Sequence, residues 1–200
     1  SSNTDATLNV LSPSWASGAY ADINIGYQPT SRKIRGHYNN GIEIFTNNTN
    51  AALKVHPTGS VTMPYQPAFR AYLTTNTDIT TQQPLVYQAV LYNRGSHYNT
   101  SNGRFTAPVT GVYHFGTFHW HRVSTAGQVI VYFYVNGSLN AEFRHTRNGA
   151  TGYYDRVGFN HDILLNANDY VTVDASGAGG GNLHTSSNFN NSYFAGHLVG

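Results

Sequence analysis

Residues 89–120 read AVLYNRGSHYNTSNGRFTAPVTGVYHFGTFHW. An apolar strand closes at Asn93-Arg94-Gly95, a turn signal. GRFTAP and GVYHFGTFHWHRV follow as two more strands, split by a turn from Pro108 to Gly111. Gly103 and Gly111 sit where tight turns need permissive dihedrals, and Phe105, Tyr113 and Phe115 are spaced for core positions on adjacent strands. Three strands and two turns in so short a run predict an antiparallel, all-β framework.

The flanking sequence extends the pattern. Upstream, AFRAYL reads as a strand and TTNTDITTQQP as a polar loop. Downstream, QVIVYFYVNGSLNAEFRH is a hairpin around Asn136-Gly137. YDRVGFNHDILLN, DYVTVDASG and SYFAGHLVG complete a set of about eight to ten strands, which predicts a sandwich or jelly roll. Strand 128–135 is apolar on both faces: Val129, Val131, Phe133 and Val135 fill the core, while Ile130, Tyr132 and Tyr134 face the other way. Either it is central and covered within its own chain, or a neighbouring subunit buries one face.

Composition agrees. Charged residues are 10% of 200, against about 25% in ordinary soluble domains. Glu43 and Glu142 are the only glutamates, and no segment carries a helical apolar stripe. There is no cysteine, so disulfides and thiolate zinc sites are excluded. A net charge of +2 is too small for a nucleic-acid footprint, and the one basic cluster, Arg32, Lys33 and Arg35, reads as a solvated loop. No apolar run approaches a membrane span. The start, Ser1-Ser2-Asn3-Thr4-Asp5, reads as a cut inside a longer polypeptide or as a mature end.

Residues from about 6 to 63 read as short strands with thin apolar content. ATLNVLS alternates weakly; AYADINIGY places Ala21, Ile23 and Ile25 on one face; GIEIFTNN pairs Ile42 with Ile44; AALKVHPTGSVTM gives Leu53 and Val55, a turn, then Val61 and Met63. Alone, such a segment struggles to bury a core, and the obvious partner is the same segment of other chains. MPYQP at 63–67 breaks the ladder, giving an expected division into residues 1–64 and 65–200.

Residues 67–200 resemble C1q-like domains. The resemblance rests on Asn93, Tyr98, Gly103, Phe105, Thr106, Pro108, Gly111, Val112, Tyr113 and Phe115. VYFYVNG, ILLNANDYVTV and SYFAGHLV match further blocks in order, the last through Ser192, Phe194, Gly196 and Leu198. Asn168 replaces a glycine and Ala107 stands at a cysteine position. Asparagine tolerates left-handed backbone, so that turn survives. Gly196 lies within a strand, where a bare backbone admits a close neighbour. The resemblance implies a C1q/TNF-like ten-stranded jelly roll, assembled as a homotrimer about a threefold axis. Residues 1–66 contain no Gly-x-y repeat of the collagen kind. The N-terminal segments are instead similar in style to the shafts of bacteriophage tail fibres, which implies a virion protein at the distal end of such a fibre. The function expected is a non-catalytic receptor-binding tip that recognises a host surface polysaccharide or outer-membrane protein. The alternative is a secreted C1q/TNF-like lectin or ligand of a cellular organism.

Candidate chemistry lies in loops and histidines. RNGATGYYDR presents Arg147, Asn148, Tyr153, Tyr154 and Arg156; ASGAGGGNLHTSSNFNNS adds Asn182 and His184. Tyrosine with Asn, Ser and Gly is the composition of adaptable binding surfaces. His119 and His121 share one face of a strand, and three copies at a threefold axis would offer six imidazole nitrogens to a transition metal; the plainer reading is stacked polar-aromatic residues at a subunit interface or in a loop. Asp155, Asp162, Asp169 and Asp174 are conceivable calcium ligands, although Asp169 reads better as a turn residue. No enzyme is expected: the nine acidic residues are scattered, and no Gly-x-Ser-x-Gly elbow is present.

Overall fold

The computed structural model describes residues 18–25, 32–37, 39–46, 50–122, 127–147, 154–178, 183–185 and 192–200. Contacts divide the chain into two compact units, Ser1–Tyr65 and Gln66–Gly200. ATLNVLS lies outside the described residues.

The first unit is an antiparallel meander of β1 (Tyr20–Asn24), β2 (Lys33–His37), β3 (Gly41–Phe45), β4 (Ala51–Val55) and β5 (Val61–Thr62). Strand period two gives it two different faces. Ile23, Ile34, Ile44 and Leu53 stand side by side across one face. Asp22, Arg35, Glu43 and Lys54 alternate in sign across the other. Arg35 donates to Asp22 through Nε at 2.7 Å and through a terminal nitrogen at 2.9 Å, and its guanidinium lies 3.7 Å from the Tyr20 ring centroid. Lys54 Nζ is 2.6 Å from Glu43 Oε1, and Lys33 Nζ is 3.5 Å from Asp22 Oδ2. Lys33 and Arg35 are therefore ladder residues paired with Asp22, not members of a solvated loop. The hydrogen bond from Arg35 holds the Asp22 carboxyl below its ordinary range, so this pairing contributes in full above the ordinary range and is lost as pH falls from there through the lowered value.

The second unit holds the core. Its strands are β6 (Ala68–Tyr72), β7 (Thr77–Ile79), β8 (Gln83–Pro84), β9 (Ala89–Arg94), β10 (Tyr98–Asn99), β11 (Arg104–Thr106), β12 (Gly111–Arg122), β13 (Gly127–Val135), β14 (Ser138–Arg147), β15 (Tyr154–Leu165), β16 (Tyr170–Ala178), β17 (Leu183–Thr185) and β18 (Ser192–Leu198). A five-stranded sheet runs β15-β12-β18-β6-β9, and a six-stranded sheet runs β10-β11-β16-β13-β14 with β8 also on β16. Two facing antiparallel sheets with crossed-over strand order make the expected jelly-roll sandwich.

Between the sheets lies an aromatic core. Phe69 stacks on Tyr98 at 4.9 Å and on Phe105 at 5.0 Å, and meets the edge of Phe194 at 4.9 Å. Phe105 also meets Tyr113 and Phe115, each at 5.4 Å. The core spacing of these residues is as expected, but the placement differs: Phe105 belongs to the sheet opposite Tyr113 and Phe115, not to an adjacent strand. Gly196 is where the ring cluster leaves no room for a side chain. A Cβ there would stand 2.5 Å from Phe115 Cδ1 and 3.0 Å from Phe69 Cε1.

Strand β13 resolves its two readings within one chain. It is central, flanked by β14 and β16, and Ile130 and Tyr132 on its outward face are buried beside Arg144, Glu142 and Ser176. The stretch 74–84 is more than a polar loop: it contributes β7 and β8, and Ile79 is fully buried.

Side chains lace the turns. Asn93 donates through Nδ2 to the Tyr98 carbonyl at 2.8 Å and accepts from Tyr98 N–H at 3.1 Å, replacing a backbone pair across the turn at Gly95. Asn136 donates to Asp169 Oδ1 at 2.7 Å and accepts from Tyr170 N–H, while Asp169 Oδ2 accepts from Asn166 N–H at 2.7 Å. These donors hold the Asp169 carboxyl below its ordinary range, which is the work of a turn residue. Asn168 has φ 74°, in the left-handed region where β-branched residues are strained. Asn168→Val should lower unfolding free energy by about 1–2 kcal/mol relative to Asn168→Gly. Equal denaturant midpoints for the two variants would contradict that assignment.

Candidate functional site

Of the residues expected to bind, the strand ends bearing Arg147 and Tyr154 lie at one end of the sandwich. Register places Arg122 opposite Tyr154, Gly127 opposite Arg147, and Gln128 opposite Ala178. The ends of β12, β13, β14, β15 and β16 therefore meet there. Arg147 and Tyr154 are terminal strand residues, Arg156 is exposed on β15, and His184 lies on β17, which pairs with β7. Asn148, Tyr153 and Asn182 lie outside the described residues, as do the side chains of Arg147, Tyr154 and His184.

His119 is elsewhere. It is fully buried, with Nε2 2.6 Å from Thr117 Oγ1 and 3.3 Å from the Tyr87 hydroxyl. Thr117 and His119 face inward because they continue the parity of Tyr113 and Phe115. A ligand shared between copies must reach the surface, and this imidazole is enclosed in its own sandwich. It lies in the core, neither in a loop nor on a surface open to another copy, so the plainer reading's location does not fit it either. His121 keeps the same strand parity, but its side chain is outside the described residues. Among the described residues no group of three or more His, Asp or Glu side chains is placed to hold a metal ion. Burial pushes the Tyr87 and Tyr98 hydroxyls well above their ordinary range, so both remain protonated hydrogen-bonding groups inside the core.

The outward face of the five-stranded sheet was not singled out from sequence. On it, register aligns His114 with Asp162 and His197, and Phe118 with Tyr193. His114 Nδ1 is 2.6 Å from Asp162 Oδ1, and its ring is 5.4 Å from that of His197. Phe118 stacks on Tyr193 at 5.9 Å, and the Arg70 guanidinium lies 4.2 Å from the Tyr193 ring centroid. Val112 and Leu164 pair at one end of the face, where Leu164 is 73% exposed. A soluble sheet face is ordinarily studded with charge; this one carries stacked aromatics, imidazoles and an open leucine. The missed signal was alternation itself: Val112, His114, Gly116 and Phe118 form the outward parity of the stretch quoted at the start.

The C1q domain model matches residues 68–199. The chain belongs to the C1q-domain family. The match spans the whole sandwich and contains all the aromatic residues of its core. Mouse collagen alpha-1(X) chain is 32% identical over 116 residues, covering 58% of this chain, and bovine protein HP-25 homolog 1 is 53% identical over 34 residues, covering 17%. The chain spans only 16% of the length of either relative. Among solved structures, the globular domain of zebrafish complement 1qA protein aligns with 68% of this chain and 98% of its own at TM-score 0.53 and 18% identity. The Eiger TNF of S. frugiperda aligns with 68% of this chain and 93% of its own at TM-score 0.56 and 10% identity. These likenesses show that the C1q domain here has the C1q/TNF fold. Among the described residues no helix is long and apolar enough to cross a membrane.

Proposed function

We propose that this C1q-domain chain is an extracellular, non-catalytic ligand or lectin-type protein that works as a homotrimer. The observation that carries the reading is the outward face of the five-stranded sheet, with its Phe118–Tyr193–Arg70 stack and exposed Leu164. Copies packed through that face would bury it, leaving the six-stranded sheet and the end bearing Arg147 and Tyr154 turned outward. Three weak sites on one particle gain avidity on a repetitive surface. The test is binding of the labelled chain to animal cell surfaces, with purified surface glycans as competitors. Saturable binding lost on competition or on glycan removal supports a lectin; binding that persists after glycan removal supports a protein receptor; no binding to any surface overturns the reading. Shortening of an added polysaccharide would overturn the non-catalytic part.

A second reading keeps the same head at the tip of a viral tail fibre, facing a host polysaccharide or outer-membrane protein. One observation favours it: Ile23, Ile42, Ile44 and Val61 of the meander are 40%, 50%, 39% and 57% exposed, so one chain leaves its apolar ladder uncovered. Against it, the relatives and structures named above are animal proteins. Antibodies to the chain labelling virion tail tips would establish it in place of the first.

A further inference from the structure

On one edge of β16 two short strands follow each other. β11 pairs with Tyr170 and Val171, β8 with Asp174 and Ala175, and Thr172 and Val173 fall at the junction. On the outward side of that junction the sheet opens into a depression of about 320 Å³, within the size range of small-ligand sites. It is lined by Pro84, Arg104, Tyr134, Tyr170, Thr172 and Asp174, with Asn102 and Gly137 from two turns at its rim. It lies toward the laced turns, at the opposite end of the sandwich from Arg147 and Tyr154.

Its groups are held in place before any ligand arrives. Gln82 donates through Nε2 to the Tyr134 hydroxyl at 2.6 Å and to Asp174 Oδ2 at 3.4 Å. The Arg104 guanidinium lies over the Tyr170 ring, 4.1 Å from its centroid. Asn136, which accepts from Tyr170 N–H, fixes the strand end from the turn side. Partial burial pushes the Asp174 carboxyl above its ordinary range, because the loss of water outweighs its long hydrogen bond from Gln82. Its free acceptor positions suit the O–H donors of a vicinal diol. The Tyr134 hydroxyl, already accepting from Gln82, has its proton to donate. Tyrosine and proline rings supply apolar surface for the C–H face of a ring. Arg104 balances Asp174, so the depression has no net charge with which to select an ion.

We propose that this depression is a binding site for a neutral pyranose unit of a glycan. The assignment rests on the binding-protein reading above, and it places the site on the sheet that copies leave exposed. Asp174 accepts two sugar hydroxyls, Tyr134 donates to a third, and Tyr170 and Pro84 bear on the ring.

The experiment is a ¹H–¹⁵N titration of the intact chain with methyl α-mannoside, methyl β-galactoside, methyl β-glucoside and N-acetylglucosamine. Calcium chloride, free lysine and inorganic phosphate serve as ionic counter-probes. At least one sugar should shift the amides of Arg104, Tyr134, Gly137 and Thr172 saturably in the millimolar range. Asp174→Asn should weaken that response at least tenfold, and Tyr134→Ala should do the same with the spectrum otherwise intact. The proposal is overturned if no sugar shifts these amides, if only an ionic probe does, or if both variants titrate like the parent. Sedimentation of the same samples separates the two levels: a trimer blind to sugar removes the pocket and leaves the assembly reading, whereas a monomer removes that reading itself.

Discussion

Phe69→Ala is expected to cost about 3–5 kcal/mol of unfolding free energy, enough to abolish the folded head in a domain of ordinary stability. The ring is fully buried and lies at the crossing of the two sheets, stacked between Tyr98 and Phe105 with Phe194 at its edge. Truncation leaves a hole that three rigid rings cannot close by rotating, so both the lost burial and the cavity contribute. Phe69→Leu, which keeps much of the volume, should recover more than half of the loss. Denaturant unfolding followed by tyrosine fluorescence measures both. An alanine variant within about 1 kcal/mol of the parent would mean that the aromatic cluster is not the hub of the fold.

Tyr193→Asp is expected to break the assembly without unfolding the chain. Its ring sits at the centre of the outward face, between Phe118 and Arg70, where a partner copy would seal it from water. A carboxylate placed there loses the aromatic contact and is desolvated in every interface. Central aromatic positions of this kind cost at least about 2 kcal/mol per contact when lost, or about thirtyfold in the dissociation constant. The isolated variant should keep its β-sheet circular dichroism while its mass falls. Unchanged mass would place the contact between copies elsewhere.

The frame of this protein was legible because its decisive residues are punctuation. Asn136-Gly137 adopts two positive φ angles, 51° and 81°, and nothing but a tight hairpin uses such a pair economically. Gly103, with φ 71°, and Gly196, walled in by Phe115 and Phe69, have equally local reasons to be glycine. Ile79 was hidden within a polar stretch, since one buried side chain among threonines leaves no periodic trace. The site was less legible for a different reason. His119 belongs to a run of histidines and aromatics whose types do not say which parity faces the core; three more residues of the same parity, Tyr113, Phe115 and Thr117, settle it only once the sheet is formed. The depression around Asp174 draws on β8, β11, β13 and β16, distant in sequence and joined by pairing register alone. Lys33 and Arg35 looked solvated because their partner, Asp22, lies across a strand pair.

Sedimentation equilibrium of the unmodified chain tests the account most directly. The account predicts one species of three times the 21.9 kDa chain mass at micromolar concentration, and a lighter one for Tyr193→Asp. A monomer for the unmodified chain would contradict it.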